Sequence, residues 1–304
     1  MKKFITFIFL VTLLGTVYFY RNDIGAFYLT HFSTVDKNVT LDKKNKYYRD
    51  YDYNFVKPTN NFNVKTKDEI INVYYTIINS GTDKFTFYCS KEYKNCINDV
   101  VSIAENQEIL SDINSFVNPF NSFSNIETNY DTLGRVTLKV NKAYTEDDID
   151  AVNKKIDDII KKEIKDITDK KEIIKTFHDY VINNTKYDSE KSDKNIDKYK
   201  SNIAYGPLLQ GYGLCGGYTD SMAIFLDRYN IPNFKIISEN HIWNAVYLDG
   251  DWYHLDLTWD DPVTSDKSDV LEYNFFLITT DELEQLKTNQ HVYDKTVFSE
   301  LTKN

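Results

Sequence analysis

Basic residues are in the minority along this 304-residue chain: 36 lysines and arginines stand against 46 aspartates and glutamates, a net charge of -10. Phosphate backbones are held by basic faces, and no Lys/Arg stripe occurs outside a solvated helix near 154–171, so nucleic acid is excluded as a partner. Cysteine is scarce too, three residues in all. No CxxC or HExxH pair and no recognisable calcium loop is present, so neither a resident metal nor a cofactor is expected. Internal repeats, a coiled-coil seam and low-complexity tracts are missing, apart from a Lys/Asp-rich loop at 188–200. What remains is a globular composition, 41% hydrophobic and 15% aromatic, long enough to bury a core without staples.

The first residues read MKKFITFIFLVTLLGTVYFYRND, two lysines followed by an uncharged, largely apolar run over 4–20 and then Arg21. Spanning helices need roughly 17 to 25 apolar residues, and a cleavable signal ends in small residues where this run has Tyr18, Phe19 and Tyr20. Residues 1–22 therefore read as an uncleaved signal anchor in preference to a removed signal peptide. Lys2 and Lys3 would keep the N-terminus cytoplasmic and the rest of the chain extracytoplasmic, tethered by residues 4–20 or secreted if the segment is cut. In that oxidising setting Cys89 and Cys96, seven positions apart, are close enough for one local disulfide, which leaves Cys215 unpaired; three reduced thiols are the alternative.

Residues 23–60 are polar and rich in Tyr and Asn without sustained periodicity, which predicts a spacer. Over 61–145 a helical pattern (DEIINVYYTIINSG), an alternating FTFYC strand, a helical stretch across DVVSIAENQEILSDI and a TLGRVTLKV strand predict a small α/β unit of unknown role. The third part, 146–304, opens with an amphipathic helix capped by Thr145, with Ile149, Val152, Ile156, Ile159, Ile160 and Ile164 on its buried stripe. A second helix carries His178, which reads as a satisfied packing residue.

The stretch GYGLCGGYTDSMAIF, 211–225, surrounds Cys215 with glycines just before an apolar-periodic helix that runs to about Asn230. Glycines let a backbone come close to another molecule, so they suggest approach to the sulfur from outside; an incidental thiol in a glycine-rich turn is the plainer reading. At a helix N-terminus the unpaired N–H groups and the dipole stabilise a thiolate, and thiols so placed reach pKa values of about 3.5 to 7.5. The same N–H groups can hold an oxyanion.

A base for that thiol is offered by HIWNAVYLDGDWYHLDLTWDDP, two apolar-aromatic strands around Asp249-Gly250, a strong hairpin signal. A two-residue turn pairs Leu248 with Asp251 and carries the ladder to Trp243 opposite Asp256 and His241 opposite Thr258. His241 and Asp256 then share one face as diagonal neighbours, roughly 7 to 8 Å apart at Cα, within reach of an imidazole and a carboxylate. The acid would fix the ring's tautomer and leave the other nitrogen for the thiol. A three-residue loop would send the two to opposite faces. His254 is a secondary candidate on the same face, and Asp260 and Asp261 read as turn residues beside Pro262. A zinc site of Cys215, His241, His254 and Asp256 is the rival chemistry, lacking the closely paired ligands such sites favour; incidental polar residues in an aromatic core are the inert alternative.

Residues 172–262 resemble the transglutaminase-like superfamily of papain-like cysteine enzymes. FHDYVINNTKYD is similar to the helix before its catalytic segment, AYGPLLQGYGLCGGYTDSMAIFL to the segment bearing the nucleophile, and HIWNAVYLDGDWYHLDLTWDDP to its His and Asp strands. The resemblance implies an α+β fold with the cysteine helix packed on an antiparallel sheet, Cys215 as nucleophile, His241 as general base and acid, and Asp256 as the orienting carboxylate. It also implies an oxyanion site of a backbone N–H plus an upstream side chain, for which Gln210 and Tyr205 are candidates. The reaction implied is thiolate attack on an amide of a protein or peptide at the cell surface, giving an acyl-enzyme resolved by an amine or by water. An inactive binding or scaffolding module on the same fold is the alternative.

Overall fold

Two four-stranded sheets organise the chain in a computed structural model that describes residues 15–21, 23, 39–263 and 270–303. The first holds β1 (Asn63–Val64), β2 (Lys84–Cys89), β3 (Phe123–Tyr130) and β4 (Arg135–Lys142) in the order β1-β2-β4-β3. With it go helices α1 (Lys67–Asn79), α2 (Cys96–Glu105) and α3 (Gln107–Ser115), whose apolar faces share its core. Thr66 caps α1 by accepting the Glu69 N–H, and the chain turns away after Ser80 at Gly81, φ 73°. The expected single helix across 99–113 is two helices. Asn106 takes an extended conformation and its side chain caps α3 at Ile109 N, so the break is made by a capping side chain inside an apolar pattern. Strand β3, which the pattern did not predict, is an edge strand with mostly polar, exposed side chains, and so lacks the apolar alternation of a half-buried strand.

After β4 come α4 (Glu146–Ile159), α5 (Lys170–Asn184), the short β5 (Lys186–Tyr187), α6 (Ser189–Lys194), β6 (Tyr212–Gly213) and α7 (Cys215–Arg228). A capping box of Thr145 and Asp148 starts α4. The second sheet, β7 (Asn233–Ile237), β8 (Ile242–Leu248), β9 (Asp251–Leu255) and β10 (Phe276–Ile278), is antiparallel in the order β10-β9-β8-β7, with α8 (Thr280–Leu286) following. Helix α7 lies against it: Met222, Phe225 and Leu226 are buried in one cluster with Val246 and Leu248, and Thr219 Oγ1 donates to Ile242 O at 2.9 Å. The fold is thus mixed α+β, with the cysteine helix on an antiparallel sheet.

Two boundaries drawn from the sequence do not divide the packing. The described part of the supposed spacer, 39–60, is fixed in the fold by Arg49, whose guanidinium is buried, pairs with Asp227 at 2.9 Å and donates to Phe116 O and Asn233 O. A buried charge is tolerable only when so paired, which makes this an anchor point. Nor does residue 145 end a separate unit: Tyr53, Phe116, Phe234 and Phe298 stack within one core fed by both sheets. Cys89 and Cys96 are disulfide-bonded across a Cα separation of 5.9 Å, and Cys215 is free. Residues 4–14 of the expected membrane anchor lie outside the described residues, and no described helix is long and apolar enough to cross a membrane.

Candidate active site

Cys215 is the first residue of α7, after Leu214 in extended conformation (φ -105°, ψ 172°). The sulfur thus sits at the positive end of the helix dipole, where the N–H groups of Gly217 and Tyr218 donate to Leu214 O at 2.8 and 3.1 Å. The glycines beside it serve the protein's own backbone. A Cβ on Gly217 would lie 2.3 Å from Ser201 O and one on Gly216 2.9 Å from Asn202 O, because the 201–202 segment crosses the helix start. Their sequence reading as room for an approaching ligand is corrected accordingly.

The turn between β8 and β9 has Asp249 at φ 54° and Gly250 at φ 105°, the two positive values a two-residue hairpin needs. Leu248 pairs with Asp251 and the ladder runs on to Asn244 opposite Leu255, so Trp243 falls opposite Asp256, just past the end of β9. Register therefore carries His241 and Asp256 to one face, where Nε2 of His241 and Oδ2 of Asp256 are 2.5 Å apart. Nδ1 is left toward the cleft that His241 and Cys215 line together, and the sulfur acts on the ring's titration from there. The structure thus brings Cys215, His241 and Asp256 into one chain of contacts.

Asp256 is fully buried, and its carboxylate is satisfied on every side. Oδ1 accepts the N–H groups of Thr258 (2.9 Å) and Trp259 (3.3 Å), while Oδ2 meets His241 and also His291 Nε2, at 2.9 Å. Burial would raise its pKa, but the two imidazoles outweigh that and hold it at about 2. Burial would likewise lower His241, yet the Asp256 charge and hydrogen bond, with Cys215, raise it to about 10. A carboxylate beneath and a sulfur above thus favour an imidazolium, the state that pairs with a thiolate. His241, Asp256 and His291 offer ligand atoms within 4.8 Å of one another, but a cation there would have to displace the imidazole protons that Asp256 already takes up.

Other expected residues go elsewhere. His254 accepts the Trp243 Nε1–H at Nδ1 (3.0 Å) and bonds Thr280 Oγ1 through Nε2 (3.1 Å); burial drives its pKa down to about 3. It is a neutral core residue, so the four-ligand zinc set is not assembled. His178 is buried and satisfied by Asp179 and Asp260, the packing role expected of it. Asp260 does lie in a turn, its N–H donating to Asp256 O at 3.2 Å, but its side chain is fully buried, bonded to His178 and accepting from Phe275 N. Neither oxyanion candidate lines the cleft over Cys215. Gln210 is exposed with its oxygen accepting Lys200 N at 2.8 Å, and Tyr205 carries the Lys200 ammonium over its ring at 4.8 Å. The cleft over Cys215 and His241, about 230 Å³, is lined instead by Tyr187, Asn240, Trp259, Asp261 and Gln290, with Asp261 accepting the Tyr218 hydroxyl at 2.5 Å. Tyr187 comes from the KYD end of the α5 block, and pairing of β5 with β6 opposite Gly213 sets it beside the cysteine.

Residues 158–257 match the family model of the transglutaminase-like superfamily. Among solved structures, a TGase crystal structure is 17% identical, covering 45% of this chain and 44% of that one at a TM-score of 0.34. A candidate cysteine protease from Cytophaga hutchinsonii is 16% identical, covering 44% of this chain and 61% of that one at a TM-score of 0.28. The chain spans less than two thirds of either structure. No curated protein matches it. The segment similar to the transglutaminase-like superfamily, residues 158–257, holds Cys215, His241 and Asp256.

Proposed function

We propose that the protein is an exported cysteine acyltransferase or amidohydrolase acting on an amide of a surface protein or cell-wall peptide. The observation that carries the reading is His241 standing between Cys215 and a buried, doubly imidazole-bound Asp256. The Cys215 thiolate attacks the amide carbon; the carbon–oxygen π pair moves to oxygen, and the resulting oxyanion is met by the N–H groups at the start of α7. Tyr187, which lines the cleft together with Cys215, is the side chain assigned to assist. His241 imidazolium gives its Nδ1 proton to the leaving nitrogen, the C–N bond breaks, and a thioester remains. Neutral His241 then takes a proton from an incoming amine or water, which attacks the thioester and releases the thiolate. The apolar run over 4–20 between Lys3 and Arg21 supports placement outside the membrane.

The test uses the full chain and its Cys215→Ala variant with a primary-amine probe and a glutamine peptide, followed by mass spectrometry of the peptide. Wild type is expected to give either amine incorporation or a gain of acid at the glutamine, and the variant neither. Equal conversion by both proteins would end the proposal.

A further inference from the structure

Asp256 has a second imidazole that the triad chemistry does not use. His291 lies 34 residues beyond the matched segment, in a one-turn 3-10 helix at Asn289–His291. It is almost completely buried, stacked on Phe275 at 4.8 Å and edge-on to Trp243 and Trp259 at 4.8 and 5.0 Å. Its two nitrogens have fixed partners: Nε2 meets Asp256 Oδ2 at 2.9 Å, and Nδ1 meets Thr288 Oγ1 at 2.7 Å. Since a carboxylate can only accept, Nε2 carries a proton, and in the neutral ring the Thr288 hydroxyl donates to Nδ1. The preceding residue, Gln290, lines the cleft, and its carbonyl accepts the Ser238 hydroxyl at 2.6 Å, close to the Ser238–Tyr293 bridge that ties the turn to the end of β7. One short turn therefore faces the cleft with one residue and supports the triad's carboxylate with the next.

We propose that His291 is a positioning residue for the acyl-transfer chemistry: its Nε2–H shares the Asp256 oxygen with His241, with Thr288 fixing the tautomer, and so limits how strongly Asp256 binds the His241 imidazolium. The inference rests on the triad reading above. His291 does not line the cleft over Cys215 but is bonded to Asp256, so its influence passes through that carboxylate. The titratable groups facing this set are Cys215 and Tyr187 from α7 and β5, Asp261 on the cleft side, and Asp260 and His254 on the buried side, with Lys295 acting on His254. A carboxylate that loses one of two donors on an oxygen becomes the stronger acceptor for the other.

The experiment reads the pH dependence of Cys215 alkylation by iodoacetamide in the full chain, which needs no substrate. An ion-paired thiol gives two inflections, the upper one marking loss of the His241 proton. His291→Phe keeps the aromatic stack and removes the donor; its upper inflection is expected to rise by about one pH unit. His291→Gln restores a donor and is expected to bring the inflection back to the wild-type position. A folded His291→Phe protein with its inflection unmoved or lowered would overturn the proposal, as a packing role predicts lost stability only. If His291→Phe does not fold, Thr288→Val at the half-buried end of the pair decides: a smaller rise supports the proposal, and no rise overturns it. A wild-type chain with a single inflection would instead overturn the triad reading.

Discussion

Replacing Asp256 by asparagine exchanges an oxygen for an amide nitrogen at the centre of the site, and the surrounding hydrogen bonds dictate the consequences. Oδ1 accepts the N–H groups of Thr258 and Trp259, so the new amide must keep its oxygen there and turn its NH2 toward the position of Oδ2. Two imidazole donors, 2.5 and 2.9 Å from that position, would then face a third donor. Relief requires His291 to move its proton from Nε2 to Nδ1 and the His241 imidazolium to lose its Nε2 proton and keep the one on Nδ1. His291 tolerates this because the Thr288 hydroxyl can accept as well as donate. His241 does not, since the proton now occupies the nitrogen that must take one from Cys215. The carboxylate charge is lost as well, and it is this charge that lifts His241 to about 10 against its burial. With burial alone remaining, the ring should titrate below its ordinary value of about 6.5. The fall exceeds about three pH units, on the order of 5 kcal/mol of differential stabilisation. Turnover should drop by about 10⁴, as in other triads that lose the same control of tautomer. The assay is an NMR titration of the His241 ring in Asp256→Asn beside iodoacetamide labelling of Cys215 at pH 6, where an ordinary thiol is only about 0.3% ionised. A variant whose His241 still titrates near 10, or whose labelling at pH 6 matches wild type, refutes the reasoning.

Two further outcomes are expected. In an open helix Gly217→Ala would stabilise, but here the methyl meets Ser201 O at 2.3 Å, so overpacking prevails and chemical denaturation should show a loss of about 1–3 kcal/mol; a variant as stable as wild type would contradict the close approach. The raised His241 value also makes stability depend on pH, with a definite sign. His241 is higher folded, at about 10, than unfolded, at about 6.5, so its contribution is complete below about pH 6.5 and fades as pH rises through about 10. The stability difference between wild type and His241→Gln, from denaturation at several pH values, should therefore shrink over that window; a constant difference would show that the ion pair is not formed.

The residues themselves determined most of what is local. Thr145 with Asp148 and Thr66 with Glu69 mark helix starts wherever they occur, because capping needs only neighbours. Asp249-Gly250 set a register that put His241 and Asp256 on one face, because both positions tolerate positive φ and the side-chain period of a strand is two. Where the sequence reading departed from the structure, a distant partner was responsible. Gly216 and Gly217 are glycines because of the carbonyls of Asn202 and Ser201, Arg49 is buried because Asp227 and Asn233 meet it from other elements, and Gln210 turns to Lys200. Tertiary structure alone delivered His291 to Asp256 across 35 positions. Backbone preferences act over a few residues and can be read there, whereas burial and the pairing of charges depend on which surfaces meet, and the folded chain alone decides that.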